Sequence, residues 1–126
     1  MQSLAEIAQD YAALMAAGKA LAAAEQYWAS DIVALEPAKS GSNDPAVATG
    51  KPAALARLKR WLDDNAMSEV LIDGPFITGD QFALFIDMEI TRLTNGRATG
   101  KREPFSEIAT YTVRDGQIVE ERFFYG

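Results

Sequence analysis

The 126-residue chain has no histidine and no cysteine. Without histidine it lacks the commonest general base and the commonest metal ligand, and Ser-His and Cys-His nucleophile systems are excluded. Without cysteine there is no disulfide, no thiolate nucleophile and no Cys-bearing zinc site. Basic residues are also few: 12 Lys and Arg stand against 18 Asp and Glu, a net charge of -6. That is the wrong sign for a protein that gains affinity by neutralising phosphates, so nucleic acid is not an expected partner. No apolar run approaches the roughly 18 or more residues of a membrane span. The N-terminal stretch carries Glu6 and Asp10 where a signal peptide needs a basic start and an uninterrupted apolar segment, so a cytoplasmic protein with no membrane partner is expected. No D-x-D or E-x-x-H spacing points to a metal site. What is left for chemistry is carboxylates, Tyr, Lys, Arg and Ser/Thr.

A hydrophobic content of 48% suits one domain over residues 1–126 with a real core. Ser3 and Glu6 form a capping-box pattern, and Leu4, Ile7, Tyr11 and Leu14 follow at helical spacing, so a helix is predicted there. Gly18 ends it, and a second helix runs over Lys19–Trp28. Asp31–Pro37 reads as one brief strand, and Pro37–Gly50 as a long loop, either the rim of a binding site or a surface insertion. Pro52 opens a third helix that buries Leu55, Leu58, Trp61 and Leu62 and leaves Arg57, Lys59 and Asp64 in water. From Ser68 the period changes to two, punctuated by GD, NG and DG, which predicts four long antiparallel strands. The order α-α-β-α-β-β-β-β is that of an α+β protein.

Strand parity then locates the informative residues. Phe82, Leu84, Ile86, Met88 and Ile90 point to one face, and Ala83, Phe85, Asp87 and Glu89 to the other. In the last two strands the odd positions carry the aromatics, and with them Glu107 and Glu121. A carboxylate on an apolar face is normally paired, hydrogen-bonded or functional. Two in one apolar cavity would repel and raise each other's proton affinity, which suits a general acid and base. The competing reading pairs them with Arg122, Arg102 or Lys101. Tyr27, Trp28, Trp61, Phe105, Tyr111 and Phe123 are candidate walls for a flat apolar or aromatic ligand. Phe85 is large, apolar and opposite the core, so a second copy of the chain is expected to cover the face with Ala83, Phe85 and Asp87.

The segments YWASDIVALEP (27–37), GKPAALARLKRW (50–61), EVLIDGPFITGDQFALF (69–85) and SEIATYTVRDGQIVEERFFYG (106–126) together resemble the SnoaL-like branch of the nuclear transport factor 2-like superfamily. The resemblance implies a cone-shaped α+β barrel, a curved antiparallel sheet wrapped around three helices with a deep pocket at the wide end. It also implies a homodimer packed through the convex side of the sheet. Among its ketosteroid isomerase relatives, Tyr11 falls where an oxyanion-hole tyrosine is kept and Glu36 near the proton-shuttling aspartate. Ala109 falls near a protonated aspartate that alanine cannot replace. The His-Asp dyad of dehydratase and cyclase relatives has no counterpart. The resemblance thus implies cofactor-free isomerisation, cyclisation or dehydration, with Glu107 or Glu36 as base and Tyr11 donating to an enolate-like oxygen. The alternative is a ligand-binding or scaffold protein without chemistry.

Overall fold

The computed structural model describes residues 2–37 and 45–126. Helix α1 (Leu4–Ala16) opens on the capping box read from the sequence: the Glu6 amide donates to Ser3 Oγ at 3.2 Å and the Ser3 amide to Glu6 Oε1 at 2.9 Å. Its inward stripe is Ile7, Ala8, Tyr11 and Ala12. Helix α2 (Ala20–Tyr27) is followed at once by strand β1 (Trp28–Leu35), which starts earlier than the predicted Asp31. Trp28 therefore belongs to the sheet, and its indole faces the core beside α1. The predicted loop after Pro37 contains a short strand, β2 (Val47–Thr49), and its residues 38–44 lie outside the described residues. Helix α3 (Lys51–Asp64) has its proline in the first turn.

Four long strands and one short one follow: β3 (Asn65–Thr78), β4 (Gln81–Thr94), β5 (Arg97–Ala98), β6 (Glu103–Arg114) and β7 (Gln117–Phe124). The sheet order is β2-β1-β7-β6-β4-β3, with β5 on β4. It is not wholly antiparallel as expected, because β1 runs parallel to β7. The chain between them, β2, helix α3 and strands β3–β6, supplies the long crossover that a parallel pair needs. Bulges interrupt β3 between Ser68 and Leu71 and between Asp73 and Phe76, where they sharpen its twist. Gly74 sits at the second with φ +114°, and a Cβ there would meet the Ala83 carbonyl oxygen at 2.9 Å, so only glycine fits without a shift.

The concave face carries Phe82, Leu84, Ile86 and Met88 from β4 and Ala109 and Tyr111 from β6, all buried against the helices. In the last strand a register shift between Thr112 and Val113 breaks the odd-inward parity, so that the even-numbered Ile118 is also fully buried. On the convex face Phe85, Ile108 and Phe124 stand directly opposite one another across β4, β6 and β7, and are 37%, 43% and 48% exposed. Asp87 accepts a hydrogen bond from Ser106, and Glu89 pairs with Arg102 at 2.7 Å. Among the described residues, no helix is long and apolar enough to cross a membrane.

Candidate functional site

A cavity of about 760 Å³ opens between α3, the concave sheet face and the C-terminal residues. Three glutamates line it: Glu36 just after β1, Glu107 in β6 and Glu121 in β7. Strand parity delivers the last two, since Glu107 is opposite Ile86 and Glu121 opposite Tyr111, both inward. Glu36 is fixed from both sides. Its amide donates to the Ala46 carbonyl at 2.8 Å, and its carboxylate accepts the Tyr125 hydroxyl at 2.7 Å.

Glu121 is only 4% exposed. A chain of hydrogen bonds leads to it: the Trp28 indole Nε1–H donates to Tyr11 Oη at 3.2 Å, and the Tyr11 hydroxyl donates to Glu121 Oε2 at 3.3 Å. Indole is a donor only, so it fixes which way the Tyr11 proton points. Burial pushes Glu121 up to about 8, helped by the charges of Glu36 and Glu107 and opposed by the Tyr11 hydrogen bond and the Arg57 charge. Burial likewise pushes Glu107 up to about 8, with Glu36 repulsion second. Both carboxyls are thus mainly protonated at neutral pH. Neither pairs with the basic residues considered from sequence, because Arg122 lies beside Glu120 at 3.5 Å and Arg102 is taken by Glu89. Burial also holds the Tyr11 phenol well above its usual range, so it stays a neutral donor.

Apolar side chains make a little over half of the walls. Trp28, Trp61, Phe105 and Phe123 line the cavity as expected, joined by Leu58, Met67, Met88 and Ile90. The Trp61 and Phe105 rings lie 6.5 Å apart, and Phe105 meets Tyr125 edge-on at 5.2 Å. Two of the candidate wall residues are not there. Tyr27 turns away, its hydroxyl donating to Asp10 and accepting from Gln2 Nε2 at 3.2 Å. Tyr111 lies behind Tyr11, stacked on Phe82 at 4.7 Å, and its buried hydroxyl makes no hydrogen bond among the described residues.

Arg57, read as a solvated residue, is instead only 9% exposed and lines the cavity. Its Nη1 donates to the Pro45 carbonyl at 3.0 Å and the Ala46 carbonyl at 3.3 Å. The signal was available: Ala54, Arg57, Leu58 and Trp61 are spaced i, i+3, i+4, i+7, one inward helical stripe. Tyr125 was also missed as a site residue, although it shares the parity of Glu121 and Phe123. No cluster of three metal-ligating side chains occurs among the described residues.

Three helices held in the concavity of a curved, open mixed sheet define the nuclear transport factor 2-like, cone-shaped α+β fold. Within that class, the chain belongs to the SnoaL-like domain family, which matches residues 2–125. A provisionally assigned SnoaL-like polyketide cyclase from Mesorhizobium loti is 36% identical, with 98% of this chain and 100% of that one covered and a TM-score of 0.85. An NTF2-like protein of unknown function from Burkholderia pseudomallei shares the fold at 12% identity, covering 100% and 92% of the two chains with a TM-score of 0.80. TerC, crystallised with polyporic acid, does so at 13% identity, covering 98% and 91% with a TM-score of 0.76. No curated protein sequence matches the chain.

Proposed function

We propose that the protein binds a small apolar or polycyclic molecule in this cavity and moves a proton on it without a cofactor, as an isomerase, cyclase or dehydratase does. The observation that carries this reading is the set of three glutamates in one aromatic-walled cavity, two of them pushed up to about 8. Such a set holds acid and base together near neutral pH. Glu36, positioned by Tyr125, takes a proton from an acidic C–H of the ligand. The electron pair moves onto a neighbouring carbonyl oxygen. Neutral Glu121 donates a hydrogen bond to that oxygen through the carboxyl oxygen that Tyr11 does not hold. This revises the role expected for Tyr11, whose proton is already committed to Glu121; it is a positioning residue. Glu107 then returns a proton at the new site, and proton exchange with Glu36 resets the cycle. The provisional polyketide cyclase assignment of the relative from Mesorhizobium loti supports a polyketide-like substrate class. The exposed Phe85–Ile108–Phe124 row supports a homodimer formed through the convex face.

Deuterium exchange into 2-tetralone, an apolar ketone with an acidic C–H, tests proton transfer without knowledge of the natural substrate. Exchange above the buffer rate by the native protein, lost in Glu36→Gln, is the expected result. Saturable binding without exchange would favour the non-catalytic binding reading. Neither binding nor exchange would overturn the proposal.

A further inference from the structure

Of the cavity's polar groups that the proposed proton transfer does not use, the Arg57 guanidinium is the buried one. A cation this buried is normally matched by a carboxylate, because an uncompensated charge in a low-dielectric site is costly. Arg57 makes no ion-pair contact among the described residues, its charge reaching Glu121 only at longer range, and its two carbonyl bonds both use Nη1. The Nε and Nη2 edge of the fork makes no hydrogen bond to a described residue. That edge presents two parallel N–H donors, the geometry that receives a carboxylate through two bonds at once.

We infer that the ligand of this cavity is a carboxylate: a flat apolar ring system bearing one ionised carboxyl group that the free edge of Arg57 receives. The inference rests on the reading of the cavity as a small-molecule site and adds the charge of its ligand.

Of the other charged groups around the cavity, Arg60 and Arg92 favour an anion and the acidic Glu36 and Asp64 oppose one. From α1 comes Tyr11, from the end of β1 Glu36, from α3 Arg60 and Asp64 beside Arg57, from β4 Arg92, from β6 Glu107, from β7 Glu121, and from the C-terminal residues Tyr125. If Glu107 and Glu121 were ionised, an anion entering beside them would be repelled. Both are held protonated at neutral pH, so they oppose an anion far less, and each has an acidic proton to donate. Trp28, Trp61, Phe105 and Phe123 supply flat surfaces for the rings. The sign of the pH dependence follows. Below about 8 the carboxyls are neutral and anion binding is favoured, and above it they ionise and binding weakens.

The test compares 2-naphthoate with its neutral isostere 2-naphthamide by calorimetry, with the native protein, Arg57→Gln and Arg57→Lys, at about pH 6 and about pH 9. The native protein should bind the naphthoate about tenfold more tightly than the amide at the lower pH, with a smaller preference at the higher. Arg57→Gln should level the two probes, while Arg57→Lys, which keeps the charge but loses the fork, should keep part of the preference. Equal or tighter binding of the amide, or a preference unchanged in folded Arg57→Gln, overturns the carboxylate and leaves the small-molecule reading standing. Failure of the native protein to bind either probe overturns that reading as well. Should Arg57→Gln not fold, Arg57→Lys decides: a severalfold loss for naphthoate alone is expected, and equal losses for both probes would overturn the inference.

Discussion

Replacing Glu107 by glutamine should stabilise the protein, and by an amount that grows with pH. A free glutamate carboxyl titrates at 4.5, whereas burial and the Glu36 charge push Glu107 to about 8. At low pH both the folded and unfolded chains hold the proton, so the native protein and the variant differ little. Once pH passes 4.5 the unfolded chain releases its proton while the fold retains it, and stability falls with rising pH until the folded group also ionises near 8. One pH interval is worth about 1.4 kcal/mol, so the cost is about 3 kcal/mol at pH 7 and about 5 kcal/mol at and above pH 8. Glutamine has nearly the same shape and never ionises, so it escapes this cost. Urea denaturation of both proteins at about pH 5, 7 and 9 reads it directly, as a gap in unfolding free energy that opens in favour of Glu107→Gln. Parallel stability curves across that range, or a variant that becomes the weaker protein at high pH, would refute the reasoning. Parallel curves would mean that the folded carboxyl titrates as a free one does, and a variant weaker at high pH would mean that it is ionised and paired.

Two further outcomes follow from the same geometry. Tyr11→Phe removes the donor to Glu121 and the acceptor for Trp28, so it should cost about 1–3 kcal/mol in denaturant unfolding and move the Glu121 titration further up, since that hydrogen bond lowers it. Phe85→Lys places a charge in the middle of the Phe85–Ile108–Phe124 row. Analytical ultracentrifugation should find the native chain dimeric and this variant shifted to monomer, and a monomeric native chain at micromolar concentration would count against the interface.

Much of the frame was legible because local chemistry and tertiary structure agree. The Ser3–Glu6 box starts α1 where expected. The NG and DG pairs take positive φ at Asn95, Gly96, Asp115 and Gly116, the backbone that tight hairpins need. Period-two alternation sent Glu107 and Glu121 inward, and so placed most of the candidate site. The remainder depends on contacts that no local pattern encodes. Strand β1 begins at Trp28 because β7 lies beside it, and a parallel partner more than 80 residues away leaves no mark on the sequence around Trp28. The shift between Thr112 and Val113 inverted the parity of Ile118, as any one-residue slip must. Arg57 has a side chain that favours water, but its place in an inward helical stripe overrides that preference. Tyr27 and Tyr111 have the right type and face for a cavity wall. Tyr27 is turned aside by Asp10, and Tyr111 is screened by Tyr11.

The central claim is that this cavity keeps two glutamates protonated at neutral pH. Carbon-13 NMR of selectively labelled glutamate side chains, titrated from about pH 3 to 10 and assigned with Glu107→Gln and Glu121→Gln, measures it without any ligand. Two carboxyl signals titrating near 8, with each substitution removing one and Glu107→Gln also lowering that of Glu121, is the predicted result. A spectrum in which every glutamate has ionised by about pH 5 would contradict the account.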